Sequence, residues 1–81
     1  MRVPEEVSRD VVTRLRRVEG QIRGIQRLVE EGSECRDVVT QLAAAQAALD
    51  RVGFKLVAAA LTDPERTGDV DELEKLFLKL T

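Results

Sequence analysis

Apolar side chains recur early in the chain at Val7, Val11, Leu15, Val18, Ile22, Ile25 and Val29. Their steps of three and four line one side of an amphipathic helix, predicted over about Pro4 to Glu31. Pro4 is tolerated in a first helical turn, and Glu5 and Glu6 face the positive end of the helix dipole. Gly32 and Ser33 form the break, the glycine suited to closing one helix and the serine to N-capping the next. The pattern resumes at Val38, Leu42, Ala45, Leu49, Val52, Leu56 and Ala59, with heptad-like steps that predict a second helix over about Glu34 to Leu61. Asp63-Pro64 stops it and Thr67-Gly68-Asp69 reads as a turn. Asp69 followed by Glu72 resembles a capping box opening a short third helix, with Val70, Leu73, Leu76, Phe77 and Leu80 turned inward.

The expected fold class is therefore all-α: two long antiparallel helices plus a short third, in a single domain spanning residues 1–81. At a rise of about 1.5 Å per residue each long helix extends on the order of 40 Å, too long for so short a chain to wrap into a closed core. A continuous apolar stripe is left for a second copy, giving a dimeric antiparallel four-helix bundle. Composition points the same way. Phe54 and Phe77 are the only aromatic residues among 81, so the core is built from Leu, Val, Ile and Ala. Chains of this size usually need a staple. With Cys35 as the single cysteine and no histidine, an internal disulfide is impossible and a metal centre within one chain lacks nitrogen and sulfur ligands. The run from Leu42 to Ala48 either allows close helix contact or simply favours helix.

The formal charge of −2 hides two opposed blocks. From Ser8 to Leu28, Arg9, Arg14, Arg16, Arg17, Arg23 and Arg27 face only Asp10 and Glu19, a net +4; from Asp63 to Thr81 six acids face Arg66, Lys75 and Lys79, a net −3. Around the first helix, Arg9, Arg16, Arg23 and Arg27 project opposite the apolar sector, and Arg14, Arg17 and Gln21 lie on its shoulder. A charge run is ordinarily a solvated helix face. Here few acids are interleaved and arginine replaces lysine throughout, which suits bidentate phosphate contact. A dimer would display the stripe twice and release counterions from a duplex. Gly20 and Gly24 interrupt this helix at a cost of about 1 kcal/mol each, leaving room for a neighbouring helix or a phosphate backbone. No apolar run is long enough to span a membrane and no signal-peptide pattern opens the chain, so the expected location is the cytoplasm.

Cys35 falls near the start of the second helix, where free amides and the helix dipole stabilise negative charge; Glu34 opposes that effect and Arg36 supports it. A structural role for the thiol stands beside a reactive one. Enzyme chemistry is not expected, since the chain has no histidine, no Gly-rich phosphate loop after a strand, and no Ser/His or Cys/His pair. No cofactor is implied.

Three blocks, Arg14-Leu15-Arg16-Arg17-Val18-Glu19-Gly20-Gln21-Ile22-Arg23-Gly24, Glu34-Cys35-Arg36-Asp37-Val38-Val39-Thr40-Gln41-Leu42-Ala43-Ala44 and Leu49-Asp50-Arg51-Val52-Gly53-Phe54-Lys55, resemble the copper-sensing repressor family of bacteria (the CsoR/RcnR/FrmR type) over almost the whole chain. The resemblance implies a dimeric four-helix bundle, usually a tetramer, that binds operator DNA through basic residues of its first two helices without a helix-turn-helix. By position, Arg14, Arg16, Arg17 and Gln21 match the DNA-contact motif, with Arg23 on the same helix. The family's metal site implies a Cys at the start of the second helix, matched by Cys35, and two further ligands near the end of that helix in the other subunit. Those positions hold Ala60 and Pro64, neither of which can bind a metal. Glu72 matches an acidic position beside that site. The Pro directly after Met in the formaldehyde-sensing branch is replaced by Arg2 and Val3.

The expected function is a DNA-binding transcriptional repressor, homodimeric or homotetrameric, with no membrane association and with Cys35 as the candidate sensor of a small thiol-reactive inducer. Three alternatives stand beside it. One is an inducer-less subunit that binds DNA constitutively or assembles with a paralogue, one is a helical interaction protein whose arginines meet an acidic partner, and one is a copper-responsive repressor with an atypical site.

Overall fold

A computed structural model of the chain describes residues 2–62 and 70–81. Three helices form in the expected order, α1 (Glu5–Glu30), α2 (Cys35–Thr62) and α3 (Val70–Leu80), and no strand occurs among the described residues. The Asp63-Pro64 stop, the Thr67–Asp69 turn and the Asp69 cap lie outside the described residues.

The ends of α1 differ from expectation by one position each. Pro4, at φ −58° and ψ 147°, is the flanking residue rather than the first helical one, and its carbonyl accepts the Ser8 amide at 2.8 Å. At the other end Gly32 has φ +73°, the left-handed conformation in which a glycine avoids the Cβ penalty. The Gly32 amide bonds the Val29 carbonyl at 3.1 Å and the Ser33 amide bonds the Leu28 carbonyl at 3.0 Å, the paired closure of a Schellman motif. Ser33 thus completes α1 instead of capping α2. Helix α2 opens at Cys35, with the Glu34 carbonyl accepting the Asp37 and Val38 amides.

Helices α1 and α2 pack along one another and α3 returns against α2. The apolar stripe of each long helix divides into two seams. Val11, Val18 and Ile25, spaced by seven, are buried, and so are Ala45 and Val52 on α2. Leu15, Ile22 and Val29, also spaced by seven, stay exposed, with Ile22 at 45%, as do Leu42 and Leu49. A seven-residue repeat offers two apolar positions; one meets the facing helix of the same chain and the other faces outward. Ala45 is the one buried alanine of the Leu42–Ala48 run.

The molecule measures 50 × 24 × 12 Å along its principal axes. Its thinnest dimension is about one helix diameter, so it is a single layer of helices. It exposes 6495 Å², whereas a folded monomer of 9.0 kDa exposes about 4,900 Å².

Helix α3 buries Leu73 as expected, while Leu76 and Leu80 remain more than a third exposed and Val70 is 68% exposed, a correction to the inward face expected for these three. Phe77 keeps 42% of its surface but its ring centroid lies 5.8 Å from that of Phe54 in a tilted pair, an arrangement that adds to simple area burial. Closer to the C-terminus α3 abuts Gly53: a Cβ there would stand 2.7 and 2.8 Å from the Leu80 methyl carbons. Glycine is what permits this approach.

Candidate nucleic-acid interface

Arg16, Arg17, Gln21 and Arg23 are all exposed on α1, each held by backbone hydrogen bonding within the helix and the packing of Val18 and Ile25 beneath it. Arg16, Arg17 and Arg23 form no ion pair among the described residues. Arg9 is tied to Glu5 one turn back at 2.8 Å, with both side chains about four-fifths exposed. An exposed pair of this kind leaves the guanidinium free to exchange partners.

Arg14 is placed differently. It is half-buried on the shoulder nearest α2, and its Nε lies 3.3 Å from both carboxylate oxygens of Asp10. Oδ2 of Asp10 also accepts from Nζ of Lys55 on α2 at 2.9 Å. One carboxylate thus joins the two long helices and gathers two cations. The Lys55 hydrogen bond lowers the Asp10 pKa below its ordinary 3.8, against a partial desolvation that raises it; the Arg14 hydrogen bond and the charges of both cations lower it further. Lys55 brings the basic surface from α1 onto α2, where Arg51 stands exposed one turn earlier. Sequence reading did not single out Lys55 or Arg51 from the family-like block that contains them. Their signal is a spacing of four on α2, on the side of that helix opposite Leu42 and Leu49.

The two glycines of α1 permit no close approach within the chain. A Cβ at Gly20 would meet only the tip of Arg23 at 3.9 Å, and one at Gly24 would meet nothing within 4 Å. They leave smooth backbone on the same helix as the arginines.

Cys35 is exposed at the first position of α2. Ala60 stands near the opposite end of the helix, on the order of 37 Å away along its axis, so the two positions share no site within one chain. Cys35 falls seven residues before Leu42 and fourteen before Leu49, in register with the outward seam of α2. Pro64 lies outside the described residues. Among those described, no three Cys, Asp or Glu side chains converge as a metal site would require. No helix among them is long and apolar enough to cross a membrane.

The chain is 37% identical over 79 residues to the copper-sensing transcriptional repressor CsoR of Bacillus subtilis (strain 168), covering 88% of this chain and 78% of that protein. It is 54% identical over 44 residues to the copper-sensing transcriptional repressor RicR of Mycobacterium tuberculosis (strain ATCC 25618 / H37Rv), an alignment spanning 54% of this chain and 46% of that protein. A further relative, 31% identical over 75 residues and covered to 82% on both sides, is the uncharacterized protein in the bioA 5' region of Serratia marcescens. No solved structure matches. The sequence pattern of the metal-sensitive transcriptional repressors, a family of regulators and not of enzymes, matches residues 8–79, and with that match the chain, whose exposed arginines line one long helix, belongs to this family.

Proposed function

We propose that the chain is a transcriptional repressor that binds operator DNA as a homodimer or homotetramer. The observation that carries this reading is the row of exposed arginines on α1, with Arg16, Arg17 and Arg23 unpaired among the described residues. Arg14 and Gln21 lie on its shoulder, with Lys55 and Arg51 continuing it onto α2. Guanidinium groups neutralise phosphates and release condensed counterions, so affinity falls steeply with salt. A mobility-shift titration on the DNA upstream of its own gene tests the reading. Arg16→Ala is expected to weaken binding and to lower the salt slope by about one unit; absence of binding even at low salt would sink it and favour the interaction protein.

The second copy is supported by the outward seams. Leu15, Ile22 and Val29 of α1 and Leu42 and Leu49 of α2 each leave more than a third of their surface exposed, apolar area that a second copy would cover. The area exposed beyond that of a compact monomer, about 1,600 Å², exceeds what one partner contributes to a standard interface, about 800 Å². Pairing two such layers gives an antiparallel four-helix bundle with two arginine rows on its outer surfaces.

The family's name implies a metal, and the donor set does not fit one. The sequence has no histidine, Cys35 is its single thiol, and Ala60, where the resemblance implies a ligand, presents a methyl group. Thiophilic metals require sulfur or imidazole donors. Cys35 is instead the candidate sensor of a thiol-reactive inducer. Its exposure and its register with the outward seam support that role, because an adduct there would press on the second copy. A repressor subunit without its own inducer is the second reading, favoured by the same missing ligands, and it predicts operator binding indifferent to thiol reagents.

A further inference from the structure

The N-terminal segment, the second half of α2 and the end of α3 border a half-open cavity of about 340 Å³, at the lower end of the range for small-molecule sites. Val57 and Ala60 of α2, Leu76 and Leu80 of α3 and Val3 of the N-terminal segment form its walls. Its charged lining residues are Arg2 and Lys79, both cationic and both without an ion pair among the described residues. No carboxylate is among the residues that line it. The close packing of Leu80 on Gly53 seats α3 against α2, and both of these residues border the cavity.

We propose that this cavity is a binding site for an aliphatic monocarboxylate, with the hydrocarbon chain among Val57, Ala60, Leu76 and Leu80 and the carboxylate held by Arg2 and Lys79. The argument rests on charge and polarity together. An apolar cavity selects carbon, and two unpaired cations from different segments select an anionic head, since charge-assisted hydrogen bonds to a carboxylate are the strong ones. Ala60, one of the two positions where a metal ligand was implied, lines this cavity with a methyl group, so the chemistry of this end of α2 is that of a carbon chain. Leu56 also lines the cavity and lies seven residues beyond Leu49, so the site continues the outward seam and an occupant there bears on the proposed bundle. That last consequence rests on the repressor reading; the residues that line the cavity all come from one chain.

The test uses full-length, isotope-labelled protein without DNA, titrated with sodium decanoate below its micelle concentration and followed by amide chemical shifts. Saturable shifts at Val57, Ala60, Leu76 and Leu80 are expected, with weaker binding of decylammonium. The exposed double variant R2E/K79E is expected to weaken decanoate binding about tenfold or more, with the circular dichroism of the parent. The proposal is overturned if the double variant binds decanoate unchanged, if decanoate and decylammonium bind alike, or if the cavity amides respond to protein concentration and not to decanoate, which would mean that a second copy fills the cavity. Because no operator is present, failure of the DNA reading leaves this result untouched, and failure here leaves the mobility shift untouched.

Discussion

Asp10 of α1 and Lys55 of α2, 45 positions apart in sequence, meet at 2.9 Å, and the same carboxylate holds Arg14 at 3.3 Å. All three side chains are between a third and a half exposed, so the cluster is open to competing phosphate. In the free protein Asp10 neutralises two cations that lie beside the arginine row. Asp10→Asn is therefore expected to tighten operator binding several-fold and to steepen its salt dependence by about one unit per cation released. Fluorescence anisotropy at several salt concentrations measures both. Asp37→Asn removes the same charge from the first turn of α2, away from this cluster, and is expected to leave the slope unchanged; equal effects from the two variants would reduce the cluster to a matter of net charge.

The same carboxylate sets an expectation for acid stability. The pKa of Asp10 is lowered in the folded chain, first by the Lys55 hydrogen bond. A depressed folded pKa contributes stability above the ordinary value and loses it as pH falls through the folded one. The contribution of Asp10 is thus complete at neutral pH and disappears below about pH 4. Asp10→Asn should lower the melting temperature slightly at pH 7 and converge with the parent in strongly acidic buffer. A gap that widens on acidification would contradict the ion-pair account.

The two seams of each helix predict opposite outcomes for similar substitutions. Val18, at 3% exposure, packs within the chain, and Val18→Ala should cost about 2 kcal/mol in unfolding free energy. Leu49 is exposed in the chain at 44%, and Leu49→Glu should leave helicity intact while abolishing assembly. Two-fold symmetry places the new charge in the interface twice, and each lost leucine forfeits about 1.5–3 kcal/mol of burial. Sedimentation of Leu49→Glu as a folded monomer is the expected result. A dimer of unchanged stability would show that the outward seam is covered by something else.

The helices were legible in the sequence because the apolar spacing follows the helical period, and Gly32 was legible as a terminator because its backbone needs a positive φ. Which apolar positions meet the partner helix was not. On a helical wheel Val18 and Ile22 fall in one sector, and only the position of α2 separates a buried residue from an outward one. Ser33 read as the cap of the second helix because serine is a favoured N-cap residue, and only its amide bond to the Leu28 carbonyl assigns it to the end of the first. In the candidate interface, the arginines announced themselves by number and spacing. Lys55 did not, because its bond to Asp10 depends on the register between helices. Gly53 was hidden for the same reason, since its need for a missing Cβ comes from Leu80.

The glycines carry a contrast that a melting curve can read. Gly24 has open space around its missing Cβ, so Gly24→Ala should stabilise the chain by about 1 kcal/mol through helix propensity alone. If it also weakens operator binding, the smooth backbone there contacts the duplex. Gly53→Ala gains the same propensity but places a carbon 2.7 Å from the Leu80 side chain. The Leu80 side chain must then shift, and where the end of α3 moves with it the Phe54–Phe77 pair near it should loosen. The expected result is no net gain in melting temperature together with loss of decanoate binding. A stabilised protein that retains the cavity would show that Leu80 shifts freely.

Cys35 gives the test of the sensor. As an exposed thiol at the first position of α2, in step with Leu42 and Leu49, it would meet the second copy in a bundle built on that seam. Iodoacetamide adds an uncharged acetamide group: the thiolate sulfur forms a bond to the methylene carbon, iodide leaves, and the thiol proton passes to solvent. That bulk at a packed seam should cost on the order of 1–3 kcal/mol, as overpacking does, and should weaken operator binding roughly tenfold or more if binding requires the assembled form. Cys35→Ser nearly preserves the volume and should bind operator like the parent while ignoring the reagent. Mobility shifts of the parent and Cys35→Ser with and without iodoacetamide decide the matter. If the alkylated parent still holds the operator at full affinity, the thiol is not the sensor, and the subunit either takes its signal elsewhere or represses without one.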